Sequence, residues 1–447
     1  MPSQAKPLPE LPLELWTEII SYLPRGTFQK LIGLNRHLLE LVLDDKYETF
    51  HYTSNENHVV PRIHEFEGFR IAQRIRHLMI SPAAILKTVS GSSVAEQLDL
   101  SAQWNALASC VNIERVTIDL FDLEIPSAFL NLLTSLWQMT GCRLTMIALK
   151  VPVTRLKPIL DTLTKEACSI PKLNHLDLTF SATHKPPLSS KIDEAIQSLN
   201  LFLTAFSRTL TELTICSRLK LDLDGLFGKL VTLPNLKVLN LWSHLDDRHT
   251  FPSVEGFTNY IVKHSHHLES LRIDPNPRVA ESLVYQDGML AQGFHTPFYS
   301  LEKQAQFALV KFPKLRALQT VLRHPNLSPL GPVTCMGPYS CLLPGFSSTL
   351  NLTTLKILSY PLVYEAVATL LSQLGEGGDK PSGLKNLRLN VVALSPELFE
   401  LFVQHLPHLE SYADVHTERI PRFVEREEVY ADAIAKPAFD GFVKMLV

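Results

Sequence analysis

From residue 75 onward, apolar and polar positions repeat one short phrase, apolar-x-x-apolar-x-apolar. It reads IRHLMIS at 75–81, IERVTID at 113–119, LTMIALK at 144–150, LNHLDLT at 173–179, LTELTIC at 210–216 and LKVLNLW at 236–242. It continues as LESLRID at 268–274, LRALQTV at 315–321, LTTLKIL at 352–358, LKNLRLN at 384–390 and LESYADV at 409–415. The middle anchors are about 33 residues apart on average, a spacing typical of repeat arrays. Within each phrase, residues two apart share a face, which is strand alternation. Between phrases lie stretches of helical period, such as 127–139, 191–206, 363–374 and 396–406.

Strand and helix in steady alternation predict an α/β fold with a parallel sheet. Together with the period they predict an irregular leucine-rich-repeat-like solenoid over 51–421, parallel strands on one face and helices on the other. A compact doubly wound α/β sheet is the competing architecture. The match to the repeat is degenerate. Its consensus places an Asn or Cys three residues after the last leucine of the phrase, and only Asn276 stands there. Two irregular loops are expected, 274–299 and the Pro/Gly/Ser-rich 323–348. The tail 422–447 is expected to fold back as a C-terminal cap.

The first fifty residues have a different rhythm. Leu15, Ile19, Ile20 and Leu23 form a stripe on one short helix, which Pro24 closes. Thr27 suits the cap of a second helix carrying Phe28, Leu31 and Leu34. Leu38, Leu39, Leu41 and Val42 belong to a third, beginning near Asn35. Three short helices bury little core alone and leave apolar surface for a partner.

Residues 9–50 resemble the F-box family through Leu11-Pro12, Glu14-Leu15, Ile19-Ile20, Leu23-Pro24, Leu31, Leu34, Asn35-Arg36 and the leucines that follow. The LELW opening and the NRHLLELVLDDKYE ending look particularly like fungal members. Many members carry a tryptophan in the third helix, where this chain has His37-Leu38-Leu39. The resemblance implies a three-helix F-box that binds a Skp-type adaptor through Leu11, Pro12, Leu15, Ile19, Ile20, Leu23 and Pro24. Through that adaptor the chain joins a cullin–RING ubiquitin ligase. The array is then expected to hold an unknown protein substrate, with catalysis left to other subunits. A repeat scaffold without a ligase role, and an unrecognised enzyme, are the alternatives.

Composition narrows the setting. At 447 residues the chain is 45% hydrophobic and 19% charged, with net charge −3, and nothing in that balance asks for nucleic acid or an anionic membrane. Its six cysteines form no CxxC pair, which points to reduced thiols in the cytoplasm or nucleus. No signal core or membrane span is visible. Phosphate-loop, dinucleotide, nucleophile-elbow and HExxH motifs are absent, so no catalytic residue, cofactor or metal is expected. The run 264–267 (His-Ser-His-His) reads as a solvated helix end, and Cys335 and Cys341 as free thiols.

One column carries the substrate expectation. In each phrase the residue between the last two anchors points away from the helices, onto the concave strand face. Its basic members are Arg272, Lys356 and Arg388, with Asn240 in the same column and Trp242 two residues further on. Arginine's planar fork suits carboxylate or phosphate, so one reading is that an acidic or phosphorylated segment binds there; the other is an ordinary solvated strand face. Acidic Asp274 stands beside Arg272 on the same face.

Overall fold

The structure, a computed structural model, describes residues 11–23, 36–52, 71–81, 110–120, 125–181, 189–217, 221–243, 255–275, 310–320, 351–357, 362, 364–375, 383–389, 391 and 394–414. The expected second helix over 27–34, Pro24, Asn276, most of the 274–299 loop, all of 323–348 with Cys335 and Cys341, and the cap at 422–447 lie outside them. The chain divides into two compact units, Met1–Ala148 with Lys165–Lys172, and Leu149–Thr164 with Leu173–Val447.

The first unit opens with helix α1 (Leu13–Ser21) and helix α2 (Arg36–Tyr47). Strands β1 (Thr49–Tyr52), β2 (His77–Ile80) and β3 (Arg115–Asp119) follow, each parallel to the next, and then helix α3 (Ser127–Thr140). Strand β1 ends what sequence assigned to three helices. Strand β4 (Met146–Val151) runs across the division of the chain.

The second unit contains β5 (His175–Phe180), β6 (Glu212–Ser217), β7 (Val238–Ser243), β8 (Ser270–Pro275), β9 (Ala317–Thr320), β10 (Thr354–Ile357), β11 (Asn386–Leu389) and β12 (Ser411–Asp414). They lie side by side in sequence order, and all pairings are parallel. A doubly wound sheet needs a point where strand order reverses, and this unit has none. Its helices are α4 (Val153–Lys165), α5 (Ser189–Ala205), α6 (Leu223–Lys229), α7 (Glu255–His264), α8 (Tyr364–Gly375) and α9 (Pro396–His405).

All eleven phrases contain a strand, because each places its apolar residues at strand period. Leu176, Leu213, Leu239, Leu271, Leu318 and Leu355, the middle anchors, are 0% exposed. The backbone repeats with the side chains. In the second unit the carbonyls of Asn174, Thr211, Lys237, Glu269, Arg316, Thr353 and Lys385 each accept two successive N–H groups from the start of the next strand, at 2.7–3.1 Å. Glu48, Arg76 and Glu114 do the same in the first. Shared carbonyls leave few buried donors unpaired where one strand hands over to the next.

Side chains reinforce this ladder where sequence did not look. Asn112, Asn235 and Asn351 stand just before the first anchor of their phrases and donate Nδ2 to the carbonyls of Gln73, Arg208 and Pro313 at 2.6, 2.7 and 2.7 Å. One residue after that anchor, Thr145, Thr211 and Thr353 donate Oγ1 to the shared carbonyls of Glu114, Asn174 and Arg316.

The helices pack by their apolar stripes. On α4, Leu156, Ile159, Leu160 and Leu163 are at most 1% exposed, although Pro158 interrupts the helix's own hydrogen bonding. Val153 and Leu156 meet Phe180, Ile196, Leu199 and Leu226 around a void of only about 10 Å³, and Ser198 on α5 donates to Asp161 at 3.1 Å. Helices α6 and α7 approach closely through glycine. A Cβ on Gly256 would stand 2.1 Å from the Asp224 carbonyl oxygen. Asp224 Oδ1 accepts the Phe257 N–H at 3.0 Å, at the start of α7. Rings of Phe227, Phe257 and Tyr260 then stack within 5.3 Å.

Candidate functional site

The polar face of the second unit's strands is set by register. Pairing aligns Asp177, Thr214, Asn240, Arg272, Gln319, Lys356, Arg388 and Ala413 as neighbours on successive strands from β5 to β12. This is the column read from the phrases. Two residues on, the next row holds Thr179, Cys216, Trp242 and Asp274. The alternation that buries the leucines on one side presents both rows on the other.

At β7–β9 four side chains form one cluster. The Arg272 guanidinium lies over the Trp242 ring, 4.7 Å from its centroid. Its Nε donates to Asp274 Oδ2 at 2.5 Å. Gln319 donates Nε2 to both Asp274 oxygens at 2.8 Å. The Asp274 side chain is 8% exposed and that of Arg272 39%, so the carboxylate forms the floor and the cation the rim. Among the described residues no hydrogen bond occupies Nη1 or Nη2 of Arg272.

Trp242 and Arg272 are legible in the phrases, but the clamp that orients them is not. Asp274 was visible as a neighbouring charge. Gln319 stands in the same column, but its reach to Asp274 is not legible there, because it comes only through β8–β9 pairing, 45 residues along the chain.

On β5–β7 the character changes. Asn240 donates Nδ2 to Thr214 Oγ1 at 3.0 Å and to Glu212 Oε1 at 3.3 Å. His175 Nδ1 stands 3.5 Å from the other Glu212 oxygen. Burial pushes the Asp177 carboxyl above its usual range, with His175 and Lys150 pulling the other way. Asn240 is thus engaged with its neighbours. Lys356, half-buried on β10, makes no ion pair or hydrogen bond among the described residues, and Arg388 lies beside it on β11. The face therefore runs from carboxylates at β5–β6, through a zwitterion at β8, to cations at β10–β11.

No protein-family model matches this chain. No curated protein matches it either.

The helical positions fall as follows. On α1 Leu15 and Ile19 are 44% and 42% exposed, and Leu11, just before it, is 41% exposed. Pro12 is exposed as well, while Ile20 and Leu23 are half-buried. Helix α2 is held differently. Its Leu38 and Val42 are buried, and Arg74 donates to the Glu40 carbonyl at 3.1 Å and pairs with the carboxylates of Glu40 and Asp44. Burial opposes the Arg74 charge, and the hydrogen bonds to Glu40 and Asp44 outweigh it.

An open cavity of about 470 Å³ lies at the starts of β8–β11, lined by Glu269, Lys314, Arg316, Asn351, Thr353 and Gly383. A hydrogen bond from Lys237 holds the Glu269 carboxyl below the usual range. Asn351 and Thr353 are committed to the backbone ladder, so the cavity offers little convergent chemistry. Among the described residues no group of three or more His, Cys, Asp or Glu side chains is placed to hold a metal ion. Nor is any described helix long and apolar enough to cross a membrane. His264 is fully buried rather than solvated: Nε2 accepts the Leu233 N–H at 2.9 Å and Nδ1 donates to the Tyr260 carbonyl at 2.6 Å. The helix end turns inward because Tyr260 stacks on the imidazole at 4.3 Å.

Proposed function

We propose that this chain is the substrate receptor of a Skp–cullin–F-box type ubiquitin ligase. Its N-terminal helices grip the adaptor and a leucine-rich-repeat-like solenoid holds the protein to be modified. The observation that carries the reading is the exposed stripe Leu11, Leu15, Ile19. Two large apolar side chains exposed on one face of a nine-residue helix, with a third just before it, are unusual unless another surface covers them. These are the residues through which residues 9–50 resemble an F-box.

Several features support the solenoid. Strand order follows sequence order, and parallel crossovers are almost always right-handed, which puts successive helices on one side of a sheet. The opposite side is then open for a partner, in the manner of repeat proteins. In this reading catalysis belongs to other subunits, and the chain contributes proximity by raising the local concentration of its target.

Co-purification tests it. Truncating a central anchor of an interface costs ~2 kcal/mol or more, roughly thirtyfold in affinity. Leu11→Ala with Leu15→Ala and Ile19→Ala is expected to remove the adaptor from the purified chain while thermal unfolding stays unchanged. An adaptor retained by the triple variant sinks the docking assignment and leaves a repeat scaffold without a ligase role.

A further inference from the structure

The face running from β7 to β10 combines an oriented cation, an aromatic platform and a second cation at a fixed spacing. We infer that it binds an extended segment of the target protein carrying two anionic side chains three residues apart, one on Arg272 and the other on Lys356. The inference rests on the substrate-receptor reading and names the chemistry of its ligand.

The Arg272 cluster is a prepared anion receptor. A guanidinium loses rotamer freedom when it takes up a ligand, and that cost is lower if the side chain is already held. Here Asp274 holds Nε, and Trp242 supports the flat face of the guanidinium at 4.7 Å. Gln319 in turn fixes Asp274 through both oxygens. What remains of Arg272 is its outer edge, Nη1 and Nη2, the pair that meets a carboxylate or phosphate with two parallel hydrogen bonds. The buried carboxylate takes Nε.

Spacing supplies the second half. Arg272 on β8 and Lys356 on β10 are two strands apart, with Gln319 between them. Neighbouring strands lie ~4.8 Å apart, which separates the two cations by ~9.6 Å across the strands. A ligand segment in polyproline II conformation has three residues per turn and advances ~3.1 Å per residue, so side chains three residues apart share one edge at ~9.3 Å. Arg388, one strand further on, extends the positive end. Toward β5–β6 the face carries Glu212 and Asp177, so the other end of the ligand is kept free of carboxylates. The gradient sets the direction in which the segment lies.

Carboxylate and phosphate oxygens share this chemistry, and the test separates them. The full-length chain would be used to select from a displayed library of random twelve-residue peptides, in parallel with Arg272→Gln and Lys356→Gln. A dye-labelled copy of the best peptide would then be titrated by fluorescence anisotropy, with its acidic pair as Glu, as phosphoserine and as Gln. The expected result is enrichment of Asp or Glu pairs at a spacing of three. Affinity should drop roughly tenfold or more on either substitution in the protein, or on Gln in the peptide. Arg272→Lys keeps the charge but loses the fork and the stacking, and should also weaken binding, which covers the case in which the Gln variant folds poorly. Tighter binding of the phosphoserine peptide assigns the site to phosphorylated targets; tighter binding of the Glu peptide assigns it to acidic ones. No enrichment, enrichment indifferent to spacing, or peptides held equally by the variants overturns the inference. Adaptor co-purification of the same samples reports separately: peptide selection without adaptor binding leaves the anion site standing and rejects the ligase reading.

Discussion

Helices α1 and α4 are both short and amphipathic, and their apolar stripes meet opposite fates. Leu15 and Ile19 of α1 stand more than two-fifths exposed, while Leu156, Ile159, Leu160 and Leu163 of α4 are shut away from water. Nothing in helical period distinguishes them. Helix α4 is even the weaker helix by sequence, carrying Pro158 in its interior. Packing against Phe180 and the leucines of α5 and α6 compensates for the lost backbone bond. An amphipathic stripe therefore fixes which side of a helix seeks cover, and only the neighbours decide whether cover comes from the same chain.

That contrast is sharpest in stability. Leu160→Ala on α4 should destabilise the protein by ~2–5 kcal/mol, and Leu239→Ala on β7 by a similar amount, read from urea denaturation. An effect below ~1 kcal/mol at both sites would mean that the buried stripe is not a packed core.

Gly256→Ala probes the next layer, where α7 meets α6. The added methyl would lie 2.1 Å from the Asp224 carbonyl oxygen, so the helices must part. A loss of ~1–3 kcal/mol is expected. Gly228→Ala, whose Cβ would meet nothing closer than the Gly256 Cα at 3.5 Å, should be nearly harmless. Equal effects at the two glycines would break the close-approach argument.

His264 adds a pH dependence to the buried side of the comparison. Burial lowers its pKa, so the unfolded state binds the proton more readily than the folded one. Stability from the neutral imidazole is present above the unfolded value of ~6.5 and is lost as pH falls from there toward the folded pKa. The Leu233 N–H then loses its acceptor, worth about 1 kcal/mol. Urea midpoints between pH 8 and 5 should fall for the parent and fall less for His264→Gln; identical slopes would reject the assignment.

The smallest expected effect closes the comparison. Leu15→Ala should change unfolding free energy by less than ~0.5 kcal/mol, since its side chain is exposed and packs little. A large loss there would mean that α1 is covered from within the chain and is not free to dock.

Much of this was legible in the sequence. Every phrase became a strand, and the column Asp177 to Arg388 emerged in register, because period-two alternation with one buried face permits no slip. The helices over 127–139, 191–206, 363–374 and 396–406 appeared within two residues of their expected ends. Other elements were hidden for local reasons. Strand β1 is four residues long and follows directly on α2, so its alternation has no room to show. Helix α6 is seven residues long and carries Gly225 and Gly228, poor helix formers, so its period hardly shows. Asn112, Asn235 and Asn351 stand before their phrases, not after them as the consensus has it, and bond back to the segment that precedes.

The sequence by itself determined the anchors, the strand face and its column of side chains, since each follows from periodicity along a single strand or helix. Tertiary structure alone decided that Gln319 reaches Asp274 and that His264 turns inward onto Tyr260. It also decided that Leu160 is buried while Leu15 is not. These outcomes depend on which residues distant in the chain are brought within a few ångströms, and period carries no record of them.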